Sequence, residues 1–247
     1  MRQLHPVARD DVDPVGVYGE APATGDRPWV RLNMIASVDG ATAVQGLSGG
    51  LGGPADHRVF AVLRSLADVI LVAAGTMRAE GYGPVRLPAP VVEARVARGQ
   101  TAVPAIAVVT RACRLDWESP FFAEASARPV VVTSEAAEPA DRRRAEEVAD
   151  VVLVGAEAVD LRLAVRVLAD RGARSVLAEG GPTLNGALAS AGLLDEVCVT
   201  VSPVLVGADA KRILAMADLP APTRVSIQSV CEDDGYLFLR YRVDRSA

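Results

Sequence analysis

The sequence of 247 residues predicts an α/β protein with a mostly parallel central sheet and an antiparallel C-terminal hairpin at one edge. Through most of the chain, short apolar runs alternate with segments of helical periodicity, as in parallel strands joined by helices. The run Val69–Ala73 is apolar at every position, as expected for a strand covered on both faces. From Glu196 onward the pattern changes to long β-rich runs, two of which flank Asp233-Asp234-Gly235, a sequence suited to a hairpin turn.

The first predicted strand covers residues 29–37 and ends in the turn Ser37-Val38-Asp39-Gly40. A glycine-rich loop follows, and Pro54 then begins a helix because proline suits the first helical turn. The apolar residues of this helix recur at helical spacing: Val59, Phe60, Leu63 and Leu66. The strand Val69–Ala73 comes next and ends at Gly75-Thr76.

A regular strand–helix alternation occupies the middle of the chain. Strands are predicted at residues 105–109, 129–132, 151–154 and 175–178, with helices at 141–148 and 161–171 and a third that begins at Pro182. Connections of this kind imply right-handed crossovers and parallel strands. The β-rich runs 196–206, 225–230 and 236–243 follow, and the last two flank the predicted hairpin turn.

The predicted domain organisation is a short extension followed by one domain. Residues 1–28 are rich in Pro, Gly, Asp and Ala, show no periodicity, and are interpreted as an N-terminal extension. Residues 29–247 contain no evident linker, so we expect a single domain there.

Composition excludes several classes of function. A net charge of −5 does not favour a nucleic-acid or anionic-membrane surface. Three widely spaced cysteines form neither a disulfide framework nor a zinc signature, and we expect no metal. The polar N-terminus has no apolar signal segment, and no stretch approaches transmembrane length, so a cytoplasmic protein is expected.

The carboxyl ends of the predicted strands are the candidate ligand sites, because open α/β sheets bind ligands there. The most informative of them is Glu179-Gly180-Gly181-Pro182-Thr183. Two glycines let the backbone approach a ligand, and the following helix offers free N–H groups and a positive dipole end to an anion. This segment is therefore either a pyrophosphate cradle or a strand-to-helix turn that needs glycine for its geometry alone.

Glu179 is a candidate proton donor, because a carboxyl group at the tip of an apolar strand is desolvated. The alternative is a carboxylate that caps or salt-bridges locally. No other catalytic system is evident: His5 lies in the extension, and His57 lies among polar residues of the first helix. A nucleophile elbow, a Walker A loop, a Rossmann fingerprint and a zinc-deaminase signature are all absent from the sequence.

Three segments, in this order and spacing, carry a family resemblance: residues 33–40, DVILVAAGTMRAEGYGPVR at 68–86, and LAEGGPTLNGALASAGLLDEVCVTVSPVLVG at 177–207. From Trp29 onward the chain resembles the reductase domain of the bacterial riboflavin-pathway deaminase/reductase. The resemblance implies a dihydrofolate-reductase-like three-layer α/β/α sandwich that often forms homodimers. It further implies an oxidoreductase that uses NADPH to reduce the ribosyl group of 5-amino-6-(5-phosphoribosylamino)uracil, a pyrimidine ribosylamine phosphate.

The resemblance also implies roles for individual residues. Glu179 or Asp39 would be the acid near the reacting sugar carbon. The substrate would be bound by Asn33, Ser48, Arg64 and Arg86, with arginine suited to the ribose phosphate. The cofactor would be bound by Ala36, Gly50, Thr76, Glu80, Thr110, Arg111, Ser134, Gly180, Gly181, Pro182, Thr183 and Leu184.

Arg111 and its neighbours predict the choice of cofactor. Thr110-Arg111 and Thr133-Ser134 each end a predicted parallel strand and offer a cation and hydroxyl groups. A cation and hydroxyl groups bind a 2′-phosphate better than they bind an unphosphorylated ribose. The sequence therefore predicts NADPH in preference to NADH.

The sequence departs from the family pattern at three places. Family members often carry Lys where this chain has Asn33, a Trp-Ile-Thr segment where it has Gly50-Leu51-Gly52, and paired acids where it has Glu80-Gly81. Two alternatives therefore stay open: an NADPH-dependent reductase of dihydrofolate or another pterin, and a non-catalytic NADPH-binding protein.

Overall fold

The computed structural model describes residues 1–19, 21–22, 25–207 and 210–244. The chain divides into two compact units. The first unit comprises Met1–Ala21, Val30–Arg64 and Ala178–Ala247, and the second comprises Pro22–Trp29 and Ser65–Leu177.

Five strands build the sheet of the first unit. They are β1 (Arg2–His5), β2 (Trp29–Ser37), β8 (Glu196–Ser202), β9 (Val225–Asp233) and β10 (Tyr236–Val243), which pair in the order β1-β9-β10-β8-β2. Only β2 and β8 pair in parallel, with Arg31 opposite Glu196 and Ser37 opposite Ser202. The remaining pairs are antiparallel, so an antiparallel unit forms one edge.

Three helices complete the first unit: α1 (Pro14–Tyr18), α2 (Pro54–Leu66) and α8 (Pro182–Ser190). A single 3₁₀ turn, Ser48–Gly50, precedes α2. The core face of α2 carries Ala55, Val59 and Leu63, each at most 1% exposed and four residues apart, as the periodicity of the sequence predicts.

The second unit has the alternating organisation of a parallel sheet. Its strands are β3 (Val69–Ala73), β4 (Ala105–Val109), β5 (Val130–Thr133), β6 (Asp150–Leu153) and β7 (Ser175–Ala178), in the order β7-β3-β4-β5-β6. Its helices are α3 (Ala74–Ala79), α4 (Ala89–Ala97), α5 (Pro120–Ala123), α6 (Pro139–Val148) and α7 (Leu161–Asp170). The pairs β3–β4, β4–β5 and β5–β6 are all parallel.

The predicted α/β class, with mostly parallel strands and an antiparallel hairpin at one edge, is confirmed. The hairpin turns at Asp234-Gly235, since Asp233 pairs with Tyr236. The residues interpreted as an extension are folded in part. β1 pairs with β9, and the backbone carbonyl of Tyr18 at the end of α1 accepts a hydrogen bond from Arg31 Nη2 (3.0 Å).

Candidate active site

The turn after β2 is fixed by the side chain of Asp39. Ser37 Oγ donates to Asp39 Oδ1 (2.5 Å), and the backbone N–H groups of Val206 and Gly207 donate to Oδ1 (3.2 Å) and Oδ2 (2.7 Å). The hydrogen bond from Ser37, followed by those from Gly207 and Val206, lowers the pKa of Asp39 to about 2. At neutral pH this carboxylate is ionised and accepts hydrogen bonds, so its geometry favours anchoring of the segment after β8 over donation of a proton.

Glu179 follows β7 and forms a paired hydrogen bond with a helix residue distant in sequence. Arg64 Nε and Nη2 donate to Glu179 Oε1 and Oε2, both at 2.7 Å, and the Glu179 side chain is 1% exposed. The Arg64 guanidinium also lies over the ring of Phe60, 4.2 Å from its centroid. Both Glu179 oxygens therefore face N–H donors, and Arg64 is held in one orientation by an ion pair and a cation–π contact.

The residues after Glu179 form a strand-to-helix turn, the segment in which the sequence offered either a pyrophosphate cradle or a turn that needs glycine for its geometry alone. Gly180 has a φ of +102°, which favours glycine, and Gly181 is the N-cap of α8, with Pro182 in the first turn. A Cβ on Gly180 would stand 3.4 Å from Met34 Sδ and 3.9 Å from Asn185 Nδ2. The turn is thus built from backbone, and α8 provides the unpaired N–H groups that an anion requires.

The segment after β8 is attached to α8 by several contacts. Asn185 Nδ2 donates to the Ile213 carbonyl (2.9 Å), and the Ala215 N–H donates to the Pro182 carbonyl (2.9 Å). A Cβ on Gly186 would stand 2.0 Å from the Ala215 carbonyl oxygen, so glycine is needed for this approach.

The remaining predicted residues of the first unit lie on β2 and in the following loop. Asn33 is half-buried and Ala36 is buried on β2, while Ser48 and Gly50 lie in the 3₁₀ turn. A Cβ on Gly50 would stand 3.0 Å from Val44 Cβ, so this chain has no room there for a larger residue without movement of Val44.

The second unit contains an open cleft of about 550 Å³ at the carboxyl ends of β3 and β4. Three arginines line it: Arg78, Arg111 and Arg114. Arg114 Nε pairs with Asp141 Oδ2 (3.1 Å), and Arg78 Nη1 donates to the Arg114 carbonyl (3.5 Å). The cleft therefore contains several arginine side chains, and it lies at the strand end where the sequence predicts Thr110-Arg111.

The other predicted residues of the second unit fall in two groups. Thr110 lines the cleft but uses its hydroxyl to accept the Cys113 N–H (3.1 Å), while the Ser134 hydroxyl is buried without a protein partner among the described residues. Thr76 and Glu80 lie at α3 and do not line the cleft, and Arg86 is exposed and pairs with Glu124 (2.5 Å).

The sequence reasoning missed Arg78 and Arg114. A usable signal was present, because Arg114 is three residues from Arg111 in the loop after β4. Among the described residues, no group of His, Cys, Asp and Glu is placed to hold a metal ion. The same part of the chain contains no helix of sufficient length and apolarity to span a membrane.

The fold defines this chain as an α/β protein whose candidate site lies at the strand ends, where open α/β sheets bind their ligands. Comparison with known proteins narrows this class to a family. The RibD C-terminal domain family matches residues 28–237, and the chain belongs to this family.

Relatives and solved structures agree with the assignment. The chain is 30% identical over 182 residues to a 2,5-diamino-6-ribosylamino-4(3H)-pyrimidinone 5′-phosphate reductase of Archaeoglobus fulgidus, covering 73% of this chain and 83% of that one. It is 34% identical over 190 residues to the protein of the same name from Methanothermobacter thermautotrophicus, with coverages of 76% and 83%. The crystal structure of a pyrimidine reductase-like protein from Corynebacterium diphtheriae has a TM-score of 0.83 at 27% identity, with coverages of 94% and 99%.

Proposed function

We propose that this protein is an NADPH-dependent reductase of a pyrimidine ribosylamine 5′-phosphate in riboflavin biosynthesis. The observation that carries the proposal is the Arg64–Glu179 pair, which fixes the Arg64 guanidinium against Glu179, the residue that immediately precedes the Gly180-Gly181 turn. A fixed guanidinium is suited to a substrate phosphate. The relatives named for a diaminopyrimidinone phosphate support the same substrate class.

The residues present fit a dinucleotide cofactor. The backbone turn at Gly180-Gly181 and the start of α8 would hold the pyrophosphate, since neither glycine places a side chain in its way. When bound, the reduced nicotinamide supplies a hydride. This chain's own residues then bind and orient: Arg64 holds the substrate phosphate, Glu179 fixes Arg64, and Asp39 anchors the segment after β8.

The choice of NADPH rests on the cleft of the second unit. The cleft is lined by the guanidinium groups of Arg78, Arg111 and Arg114, which can bind the 2′-phosphate of NADPH. NADH lacks this phosphate and so gains nothing from them. We expect Arg111→Ala to narrow the preference for NADPH by about tenfold, the cost of one charge-assisted hydrogen bond of roughly 1.5 kcal/mol. Calorimetry with both cofactors measures this, with the exposed Arg166→Ala as a matched control. Equal NADH and NADPH affinity in the unaltered protein would contradict the choice.

A steady-state assay tests the activity itself. NADPH oxidation is followed with the 2,5-diaminopyrimidinone ribosylamine phosphate, its deaminated uracil counterpart and dihydrofolate. We expect turnover with one or both pyrimidines. Turnover with dihydrofolate alone would move the substrate to the pterins, and tight NADPH binding without any turnover would favour a binding protein.

A further inference from the structure

The sheet of the first unit has one buried face and one partly exposed face. Side chains alternate between the two faces of a strand, so the register of β8, β9 and β10 assigns each residue to one of them. The inner face carries Glu196 and Arg240 and meets α1, since Arg240 Nη1 donates to the Val17 carbonyl (2.7 Å). We call the opposite face the outer face. It comprises Val197, Val199 and Val201 of β8, Leu237, Leu239, Tyr241 and Val243 of β10, and Val225, Ile227, Val230 and Glu232 of β9.

The outer face becomes more exposed with distance from β2. On β2 the residue that pairs with Val197 is Leu32, which is fully buried. The three outer valines of β8 are half-buried. On β10 Leu237 is 36% exposed, and on β9 Ile227 and Val225 are 40% and 46% exposed. Large aliphatic side chains on neighbouring strands are therefore open to solvent together.

The distribution of polar residues over the two faces is the reverse of that in a solvated antiparallel sheet, which places its apolar residues toward the core. Here the inner face carries Glu196, Thr200 and Arg240, and the first two of these are buried. The outer face is aliphatic except for Tyr241 and Glu232. A contiguous apolar face of this kind is typical of a surface that another protein covers.

Charge favours a second copy of the chain as the covering protein. The chain has a net charge of −5, so two copies repel each other wherever their acidic surfaces meet. On the outer face the charged residue is Glu232, at the hairpin end, and Arg2 pairs with it (3.3 Å). Two outer faces can therefore meet without opposing like charges, and the centres of protein interfaces are depleted of charge. Two such sheets can pack about 10 Å apart with interdigitating side chains.

The size of the outer face is close to what a dimer requires. The eight residues of β10 span about 27 Å and three adjacent strands span about 14 Å, which gives roughly 400 Å² of flat area per copy. Homodimer interfaces are about 65% apolar, so a polar rim would bring each copy to roughly 600 Å² and the pair to roughly 1,200 Å². This area lies at the lower end of the range for specific interfaces, so a reversible dimer is expected.

We propose that the outer face is a homodimer interface in which a two-fold axis brings the outer faces of two copies together. Leu239 lies at its centre, because it pairs with Val199 on one side and Val230 on the other. Helix α2 packs on the inner side of the sheet, where Asp56 hydrogen-bonds to Thr200. The interface therefore leaves α2 uncovered in both copies.

The test measures the mass of the full chain in solution. In sedimentation velocity from about 1 to 100 µM, the range for a reversible dimer, the unaltered protein should move from 25.8 kDa toward twice that mass. Leu239→Lys places a charge at the centre of the interface and should stay at 25.8 kDa throughout. Leu163→Lys is the matched control, since Leu163 is 45% exposed on α7 of the second unit, and it should dimerise like the unaltered protein.

A second variant separates loss of the dimer from loss of the fold. Ile227→Lys lies at a position that is 40% exposed in one copy, so the lysine can be hydrated there and the monomer should stay folded. Circular dichroism and urea unfolding check the fold, and Ile227→Lys decides the question alone if Leu239→Lys does not fold. An unaltered protein that remains monomeric over the whole range overturns the proposal. A dimer that persists in the folded variants, or that is lost equally in Leu163→Lys, also overturns it.

Discussion

Glu179 accepts two hydrogen bonds from Arg64, so its substitution should disturb the position of Arg64 rather than remove a proton donor. In Glu179→Gln one oxygen becomes an N–H₂ group that faces the Arg64 donors, so the guanidinium loses its fixed orientation. We expect kcat/KM for the phosphorylated substrate to fall at least about tenfold, mainly through KM, because uniform binding of the phosphate is lost. NADPH affinity should stay within a few fold.

Steady-state kinetics of Glu179→Gln at saturating NADPH measure kcat and KM separately and so show which of the two has changed. The predicted role of Glu179 as the acid would show the other pattern, a lower kcat with KM unchanged. Arg64→Lys should resemble Glu179→Gln, because a lysine cannot form the paired hydrogen bond.

Asp39 gives a prediction about pH. Its pKa is about 2 in the folded protein, below the value of roughly 3.9 for an unperturbed aspartate. A folded-state pKa below the unfolded one gives stability that is fully present above about pH 4 and is lost as the pH falls toward 2. The difference in unfolding free energy between the unaltered protein and Asp39→Asn should therefore shrink between pH 4 and pH 2.

Urea titrations at pH 7, 4 and 3 measure the effect of Asp39→Asn, with the exposed Glu147→Gln as control. A stability difference that is constant over this range would mean that Asp39 anchors nothing. If Asp39→Asn also lowers the turnover rate relative to the unaltered protein, Asp39 would again be a candidate proton donor.

The attachment of residues 213–218 to α8 depends on one glycine within the helix. Alanine is normally the better helix former, but a Cβ at Gly186 would stand 2.0 Å from the Ala215 carbonyl oxygen and 3.1 Å from the Ala217 nitrogen. Backbone atoms must move to relieve this contact. We expect Gly186→Ala to lower the free energy of unfolding by about 1–3 kcal/mol, the cost of overpacking.

Gly83→Ala is the matched control for Gly186→Ala, since nothing lies within 4 Å of its Cβ position. Its effect should stay within about 0.5 kcal/mol. Denaturant unfolding compares the two variants, and equal stabilities would show that the segment adapts to a Cβ without cost.

The elements that were predicted correctly are those whose sequence pattern reflects local physics. Strand β7 matches the prediction because its residues form an apolar run. The start of α8 matches because Gly-Gly-Pro marks the beginning of a helix. β8 ends at Ser202, earlier than the run 196–206 suggested, because Pro203 cannot donate to a sheet. Helix α4 was not predicted, although Pro88 and Pro90 stand at its start, where proline suits the first helical turn.

The candidate site was predicted only where neighbours in sequence are neighbours in space. The Gly180-Gly181 turn and the Arg111 loop were identified from the chain itself. The partner of Glu179 lies 115 residues away, and those of Asp39 lie 167 and 168 residues away, so no local pattern could indicate them.

At the scale of the whole molecule, two carboxylates of the described residues are each held between two arginines, and one of these carboxylates is buried while the other is exposed. In the first unit, Glu196 (side chain 2% exposed) pairs with Arg31 Nε (2.6 Å) and Arg240 Nε (2.9 Å). In the second unit, Asp150 (46% exposed) pairs with Arg128 Nε (3.0 Å) and Arg171 Nη1 (3.1 Å). The two networks have the same arrangement of charges and differ in their access to solvent.

Burial raises the pKa of Glu196, but Arg31 and Arg240 together outweigh it and hold the pKa below its ordinary value. The same arginines donate to the backbone of α1, Arg31 to the Tyr18 carbonyl (3.0 Å) and Arg240 to the Val17 carbonyl (2.7 Å). This single network of contacts therefore attaches helix α1 to strands β2, β8 and β10.

Glu196→Gln should consequently cost far more than Asp150→Asn. Removal of the buried charge leaves two poorly solvated guanidinium groups without compensation, which costs on the order of 3–5 kcal/mol. The exposed arginines around Asp150 remain hydrated after the same change, so about 1 kcal/mol or less is expected there. Denaturant unfolding of both variants measures the contrast, and limited proteolysis near residues 1–19 should report release of α1 in Glu196→Gln only. Similar costs at the two sites would mean that water reaches Glu196, and the N-terminal residues would then have to be attached by β1 rather than by this charge network.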